Sequence, residues 1–173
     1  MKNTHKISLL GVLTAAAIVM SIIEGFIPSV GIPGIKLGLA NIFILVTLYE
    51  LGPKEAILVN VLRVYLSALL RGTIMTMGFV MSLSGAALSF LAMLLFYLIV
   101  RKFSIIGVSV IGALFHAAAQ LLVAWAYMGA SIVLFYLPFI GLSAIITGVL
   151  VGIVAQIIIR TRIIQKQKDK YHF

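Results

Sequence analysis

Ionisable side chains are scarce in this chain, yet two groups of polar residues recur at helical spacing within apolar stretches. At about 100° per residue, Asn60, Arg63, Ser67 and Arg71 fall at about 0°, 300°, 340° and 20°, which is one narrow stripe. His116, Gln120 and Tyr127 fall at about 0°, 40° and 20° and form a second. Arg63 lies eight residues from both Glu55 and Arg71. At about 1.5 Å per residue that places it some 12 Å from either end of a helix, close to mid-membrane if the helix crosses a bilayer. An ionisable group there costs at least about 2.5–3.5 kcal/mol on insertion scales and therefore faces a cavity or a partner. Two such stripes turned toward one bundle interior would make a polar pocket opening through Arg71 and Tyr127, with Lys36 and Glu24 at its mouth. Its cationic surplus favours an anionic or zwitterionic ligand. A second reading stands beside it. Arg63 can pair with Glu24 or backbone carbonyls and hold helices together, His116 can satisfy itself on Gln120, and Lys36 can be a snorkelling interfacial lysine.

Other chemistry is poorly supplied. The sequence has no Gly-x-x-x-x-Gly-Lys phosphate loop, no His-Glu-x-x-His and no Gly-x-Ser-x-Gly. Its four acidic residues are Glu24, Glu50, Glu55 and Asp169, and none forms a pair suited to metal-diphosphate chemistry. Glu50 and Glu55 flank Gly52-Pro53 as helix-end charges. With no cysteine, disulfides and thiolate metal sites are excluded. No catalytic residue, resident metal or cofactor is expected, and a flavin or quinone would find no attachment residue.

The elements that must position the stripes follow from composition. Of 173 residues, 63% are hydrophobic and 10% charged, against about 25% charged in soluble domains. A bilayer core of about 30 Å needs about 20 apolar residues per helix. Six candidate spans, 7–27, 35–51, 54–71, 74–100, 104–128 and 133–159, use nearly the whole chain. They predict an all-α integral membrane protein, a single transmembrane domain over 1–173 with a basic tail, 160–173, that is frayed or disordered. The Gly/Pro-rich stretch 28–34 reads as an outer loop. Pro53 is suited to the first turn of span 3. Placing Met1 inside puts Lys2, Lys6, Lys54, Arg101, Lys102, Arg160, Arg162, Lys166, Lys168 and Lys170 on the inner face and only Lys36 and Arg71 on the outer. That asymmetry predicts cytoplasmic termini and a multi-pass protein of the cell membrane. The net charge of +9 marks the membrane interface and anionic lipid rather than nucleic acid. Although Lys2 and Lys6 before an apolar run resemble a signal peptide, the run is too long and lacks a small-x-small cleavage site at its end. It reads as a retained helix. Gly11 and Ala15, four apart, would let another helix approach closely, either within the bundle or from a partner subunit. In span 4 the run Ser82, Ser84, Gly85, Ala86, Ala87 and Ser89 reads as packing within the bundle. No internal repeat is evident, which weighs against a conventional secondary transporter.

The order of landmarks resembles the heptaprenyl diphosphate synthase component I proteins, also called the Gx transporter family. Those landmarks are Pro33-Gly-Ile-Lys-Leu-Gly-Leu-Ala-Asn41, Gly52-Pro-Lys-Glu-Ala56, Arg63, Leu69-Leu-Arg-Gly72, Ser82-Leu-Ser-Gly85, Gly107-Val-Ser109, and His116 with Gln120. The segment Lys36–Asn41 is the most specific, and Asn41 joins Lys36 and the two stripes as an expected substrate-binding residue. More distantly the pattern is similar to substrate-binding S components of energy-coupling-factor transporters. That resemblance implies six helices, a loop after the first that lids an outward-facing pocket, and an Ala-x-x-x-Ala docking motif on helix 1. Here the motif's position is Gly11-x-x-x-Ala15. The implied function is capture of a small vitamin- or precursor-like solute, with a transmembrane coupling subunit and ATPases as partners. A non-catalytic accessory role in isoprenoid, quinone or redox metabolism and a stand-alone transporter are the alternatives. Synthase chemistry itself does not fit, because prenyl diphosphate synthases hold magnesium diphosphate through aspartate-rich motifs and the sole aspartate is Asp169.

Overall fold

A computed structural model describes residues 3–27, 36–99 and 103–171. The chain is all-helical: α1 (Asn3–Glu24), α2 (Asn41–Glu50), α3 (Pro53–Leu70), α4 (Met77–Ile99), α5 (Ile105–Met128) and α6 (Ala130–Tyr171). The expected outer loop, 28–34, lies outside the described residues. α1, α4, α5 and α6 are long and apolar enough to cross a membrane. Their outward faces carry large hydrophobic side chains, among them Val19, Leu95, Leu122 and Leu142. Exposed apolar surface on this scale belongs in lipid rather than water. These features point to a membrane-embedded protein.

Two elements depart from the spans expected. α2 is 10 residues long, about 15 Å, and reaches only halfway through a bilayer core. Its expected first turns, from Lys36 to Ala40, are not helical. Gly38 sits at φ +82°, a conformation open to glycine at little cost, and the helix starts three residues later. Apolar composition carried the expectation over this segment, because Leu37, Leu39 and Ala40 score as membrane residues whatever their backbone does. α6 departs the other way. Its helix continues to Tyr171 for 42 residues, about 63 Å, so the basic tail read as frayed or disordered extends the last helix.

Short as it is, α2 is the axis of the bundle and touches all five other helices. Its Ile44, Leu45 and Leu48 are fully buried among Leu13 and Ala17 of α1, Val59 of α3, Phe90 and Met93 of α4, Val108 of α5 and Ala155 of α6. α1 and α3 run parallel and are tied near both ends. Lys6 donates to Glu55 at one end, and Arg71 Nη2 donates to the Gly25 carbonyl at 3.3 Å at the other. Gly52-Pro53 breaks the chain as expected, with Pro53 in the first turn of α3.

α5 and α6 meet through small residues. A Cβ on Gly148 would lie 2.8 Å from Val110 Cα, and one on Gly152 2.7 Å from Ile106 Cα. This Gly-x-x-x-Gly spacing brings two backbones into contact, which in lipid supplies the association that hydrophobic transfer cannot. The Gly11 and Ala15 positions differ: both lie on the exposed face of α1, and no atom beyond Gly11's own surroundings comes within 4 Å of a Cβ built there.

Candidate functional site

An unwound segment inside a membrane protein needs partners for its backbone, since lipid offers none. Side chains from α1 and α5 supply them. Glu24 Oε1 accepts from the Gly38 N–H and from the Leu39 N–H at 3.0 Å. Gln120 Oε1 accepts from the Lys36 N–H at 3.2 Å. Gln120 Nε2 and His116 Nε2 are 3.1 Å apart, which fixes the amide that holds Lys36. The Lys36 ammonium reaches α4 and donates to Ser82 Oγ at 3.2 Å. The segment that carried the most specific resemblance is thus tied to α1, α4 and α5.

Beneath it lies a second network centred on Arg63, 1% exposed. Its Nε donates to Asn60 Oδ1 at 3.0 Å, Nη2 to Asn41 Oδ1 at 3.0 Å and Nη1 to Ser21 Oγ at 3.4 Å. Asn60 Nδ2 in turn donates to the Ala86 carbonyl at 3.0 Å and Asn41 Nδ2 to Ser89 Oγ at 3.3 Å. One guanidinium therefore links α1, α2 and α3, and the two asparagines carry the network on to α4. All its partners are neutral, while the Glu24 carboxylate acts on the guanidinium through space.

Above this network is a polar cavity of about 100 Å³. Glu24, Gly25 and Ile27 at the end of α1, Ser67, Ala68 and Arg71 at the end of α3, and Thr76, Phe79 and Ser82 at the start of α4 line it, together with Lys36. These segments lie at one end of the bundle, so the cavity belongs to that end. The guanidinium of Arg71 overlaps the space a Gly25 side chain would take, and Phe26 lies beside it with its ring centroid 6.0 Å away. Gly25 makes the room that Arg71 occupies.

Of the expected site residues, Lys36, Ser67 and Arg71 line the cavity. Asn41, Asn60 and Arg63 form the network below it, and His116 with Gln120 holds the Lys36 backbone. Tyr127 is not brought to them: it is 62% exposed and lines no part of this cavity. Trp125, Ala126 and Tyr127 are all exposed, while Met128 in the same turn packs inward against the cluster of Ala124 and Val133.

Sequence reasoning did not select Ser21, Ser82 and Ser89. The signal was available in α4, where Ser82, Gly85 and Ser89 fall at about 0°, 300° and 340° on one stripe. A Cβ on Gly85 would lie 2.8 Å from the His116 ring, so this stripe carries polar contacts and a slot for the imidazole as well as packing.

The family model for heptaprenyl diphosphate synthase component I matches residues 13–158. The chain belongs to that family. No curated protein and no solved structure matches it. The stretch shared with the family contains the cavity, the Arg63 network and the His116–Gln120 pair. Of the two small residues on the exposed face of α1, Ala15 falls within the match and Gly11 just before it.

Proposed function

We propose that this chain is the membrane-embedded substrate-binding subunit of an importer of the energy-coupling-factor type, taking up a small anionic or zwitterionic solute. The observation that carries this reading is the polar cavity, set above the buried Arg63 network at one end of a bundle whose outer faces are apolar. Lys36 and Arg71 would receive the solute's anionic group and Ser67 a hydrogen-bonding group, with Arg63, Asn41 and Asn60 supporting the floor. In this reading six segments cross the cell membrane, α2 completed by the Lys36–Ala40 segment, and both termini are cytoplasmic. The charge asymmetry then puts the cavity on the outer side.

The chain is read as non-catalytic. Glu24 is the one carboxylate lining the cavity, and a single carboxylate is too few for the paired metal-diphosphate sites a prenyl synthase needs. With no nucleotide-binding motif in the sequence, energy would come from a transmembrane coupling subunit and its ATPases. The exposed Gly11–Ala15 face of α1 is where we place that subunit.

Mass spectrometry of small molecules retained by the protein in mild detergent tests the reading. Recovery of one solute, lost in Arg71→Ala, is the expected result. Uptake into liposomes by the purified chain alone would favour a stand-alone transporter instead, and capture of an isoprenoid enzyme with no solute an accessory role.

A further inference from the structure

The oxygens of Glu24 are used unequally. Oε1 accepts two backbone N–H groups of the unwound segment, which accounts for one face of the carboxylate. Oε2 is buried and has no hydrogen-bond partner among the described residues. Glu24 is 3% exposed and lines the polar cavity. A buried carboxyl oxygen without a hydrogen-bond partner is rare in native proteins and calls for a reason. Its neighbours do not supply one: Lys36 Nζ donates to Ser82 and Arg71 Nη2 to the Gly25 carbonyl. The attraction of Lys36 and Arg63 for this carboxylate acts across space.

The wall of one small cavity thus holds two cations, Lys36 and Arg71, and Glu24, whose buried Oε2 lacks a donor and would have to turn toward the cavity to meet one. A simple anion would satisfy the cations and be repelled by Glu24. A simple amine would do the reverse. An acid that also carries a protonated amine answers both, its ammonium donating to Glu24 Oε2 while its carboxylate lies against Arg71 and Lys36. Size narrows the choice further. An apolar cavity of about 150 Å³ holds benzene, six heavy atoms, so about 100 Å³ encloses on the order of four or five heavy atoms, near the size of glycine, rather than a drug-sized ligand.

We propose that the cavity selects a small zwitterion, an amino acid or a short amino-acid-like compound, with Glu24 as the residue that reads its amine. This inference rests on the reading of the cavity as the solute site. It is tested on the full chain in detergent, by calorimetry and thermal shift. The probes are glycine, β-alanine and 4-aminobutanoate, each beside the acid lacking its amine and the amine lacking its acid. At least one amino acid should bind tenfold or more tightly than both of its matched partners. Glu24→Gln retains an Oε1 acceptor for Gly38 and Leu39; it should erase the preference over the acid while the acid still binds.

Equal binding of acids and amino acids by the wild-type protein overturns the inference and leaves the solute site standing. So does a preference that survives Glu24→Gln. Binding of no probe overturns the inference, while the solute site is then decided by the mass spectrometry of retained molecules. If phosphatidylethanolamine in mixed micelles stabilises the protein and no soluble amino acid does, the same chemistry belongs to a lipid headgroup and the soluble zwitterion is overturned. Should Glu24→Gln fail to fold, the wild-type comparison decides alone.

Discussion

Arg63 of α3 and Arg71, which caps that helix about two turns later, are set in opposite circumstances. Arg63 is enclosed, with donors placed on Asn60, Asn41 and Ser21. Arg71 lines the cavity with one hydrogen bond, to Gly25, among the described residues. Their substitution should separate folding from binding. Arg63→Ala leaves the Asn41 and Asn60 oxygens without that donor, at about 1–3 kcal/mol for each buried group left unsatisfied. Its melting temperature in detergent should fall clearly. Arg71→Ala should melt close to wild type and weaken solute binding by about 2–5 kcal/mol, the loss expected when a buried ligand charge is left without its partner. If Arg71→Ala binds normally, or if it melts as early as Arg63→Ala, the division between cavity wall and supporting network is wrong. The stripe Asn60-Arg63-Ser67-Arg71 was legible from spacing because helical periodicity fixes direction. Which of its members meets open space was not, because Asn41 and Ser21 reach Arg63 from 22 and 42 residues away in sequence.

The short second helix shows where pattern reading ends at the level of elements. Residues 36–40 contain two leucines and an alanine, so hydropathy extends the span through them. Their unwinding depends on Glu24 of α1 and Gln120 of α5 accepting the freed N–H groups, and no local window contains that information. Helices α1, α3, α4 and α5 were legible to within a few residues, since their apolar runs are long and bounded by Gly-Pro, Ser104 or Gly129. Small residues required the same non-local knowledge. Gly148 and Gly152 meet the backbone of α5, so Gly152→Leu should force α5 and α6 apart and cost about 1–3 kcal/mol or more. Gly141→Leu on the same helix meets nothing within 4 Å at its Cβ and should leave the melting temperature nearly unchanged. Equal melting of the two variants would contradict the contact. On α1, Ala15→Trp projects from an exposed face; it should leave the isolated protein folded and solute binding intact while abolishing co-purification with a coupling subunit. Unfolding of the isolated chain would show the face to be internal, and an unaffected complex would move the docking site elsewhere.

For the molecule as a whole, the helix lengths and the charges make one joint statement about orientation. The ends of α1 and α3 and the start of α4 share one end of the bundle with Arg71 and the cavity, whereas Lys6 and Glu55 pair at the opposite end of α1 and α3. α6 runs 42 residues, about 63 Å, twice the thickness of a bilayer core of about 30 Å. Its last turns must therefore leave the hydrocarbon, and they carry Arg160, Arg162, Lys166, Lys168 and Lys170. Positive residues near span ends are retained on the cytoplasmic side, so the proposed topology expects the cavity end to face out. The sequence contains no cysteine, which makes single introduced thiols unambiguous reporters. Met75 lies on the turn between α3 and α4 and is 86% exposed; Lys54 is exposed in the first turn of α3 at the other end. In intact cells a membrane-impermeant maleimide should label Met75→Cys, and it should reach Lys54→Cys only after permeabilisation. The reverse pattern would invert the protein and turn the cavity toward the cytoplasm, where an uptake subunit has no solute to collect. Labelling of both sites in intact cells would mean that α3 does not separate two compartments at all, and the six-segment topology would fall with it.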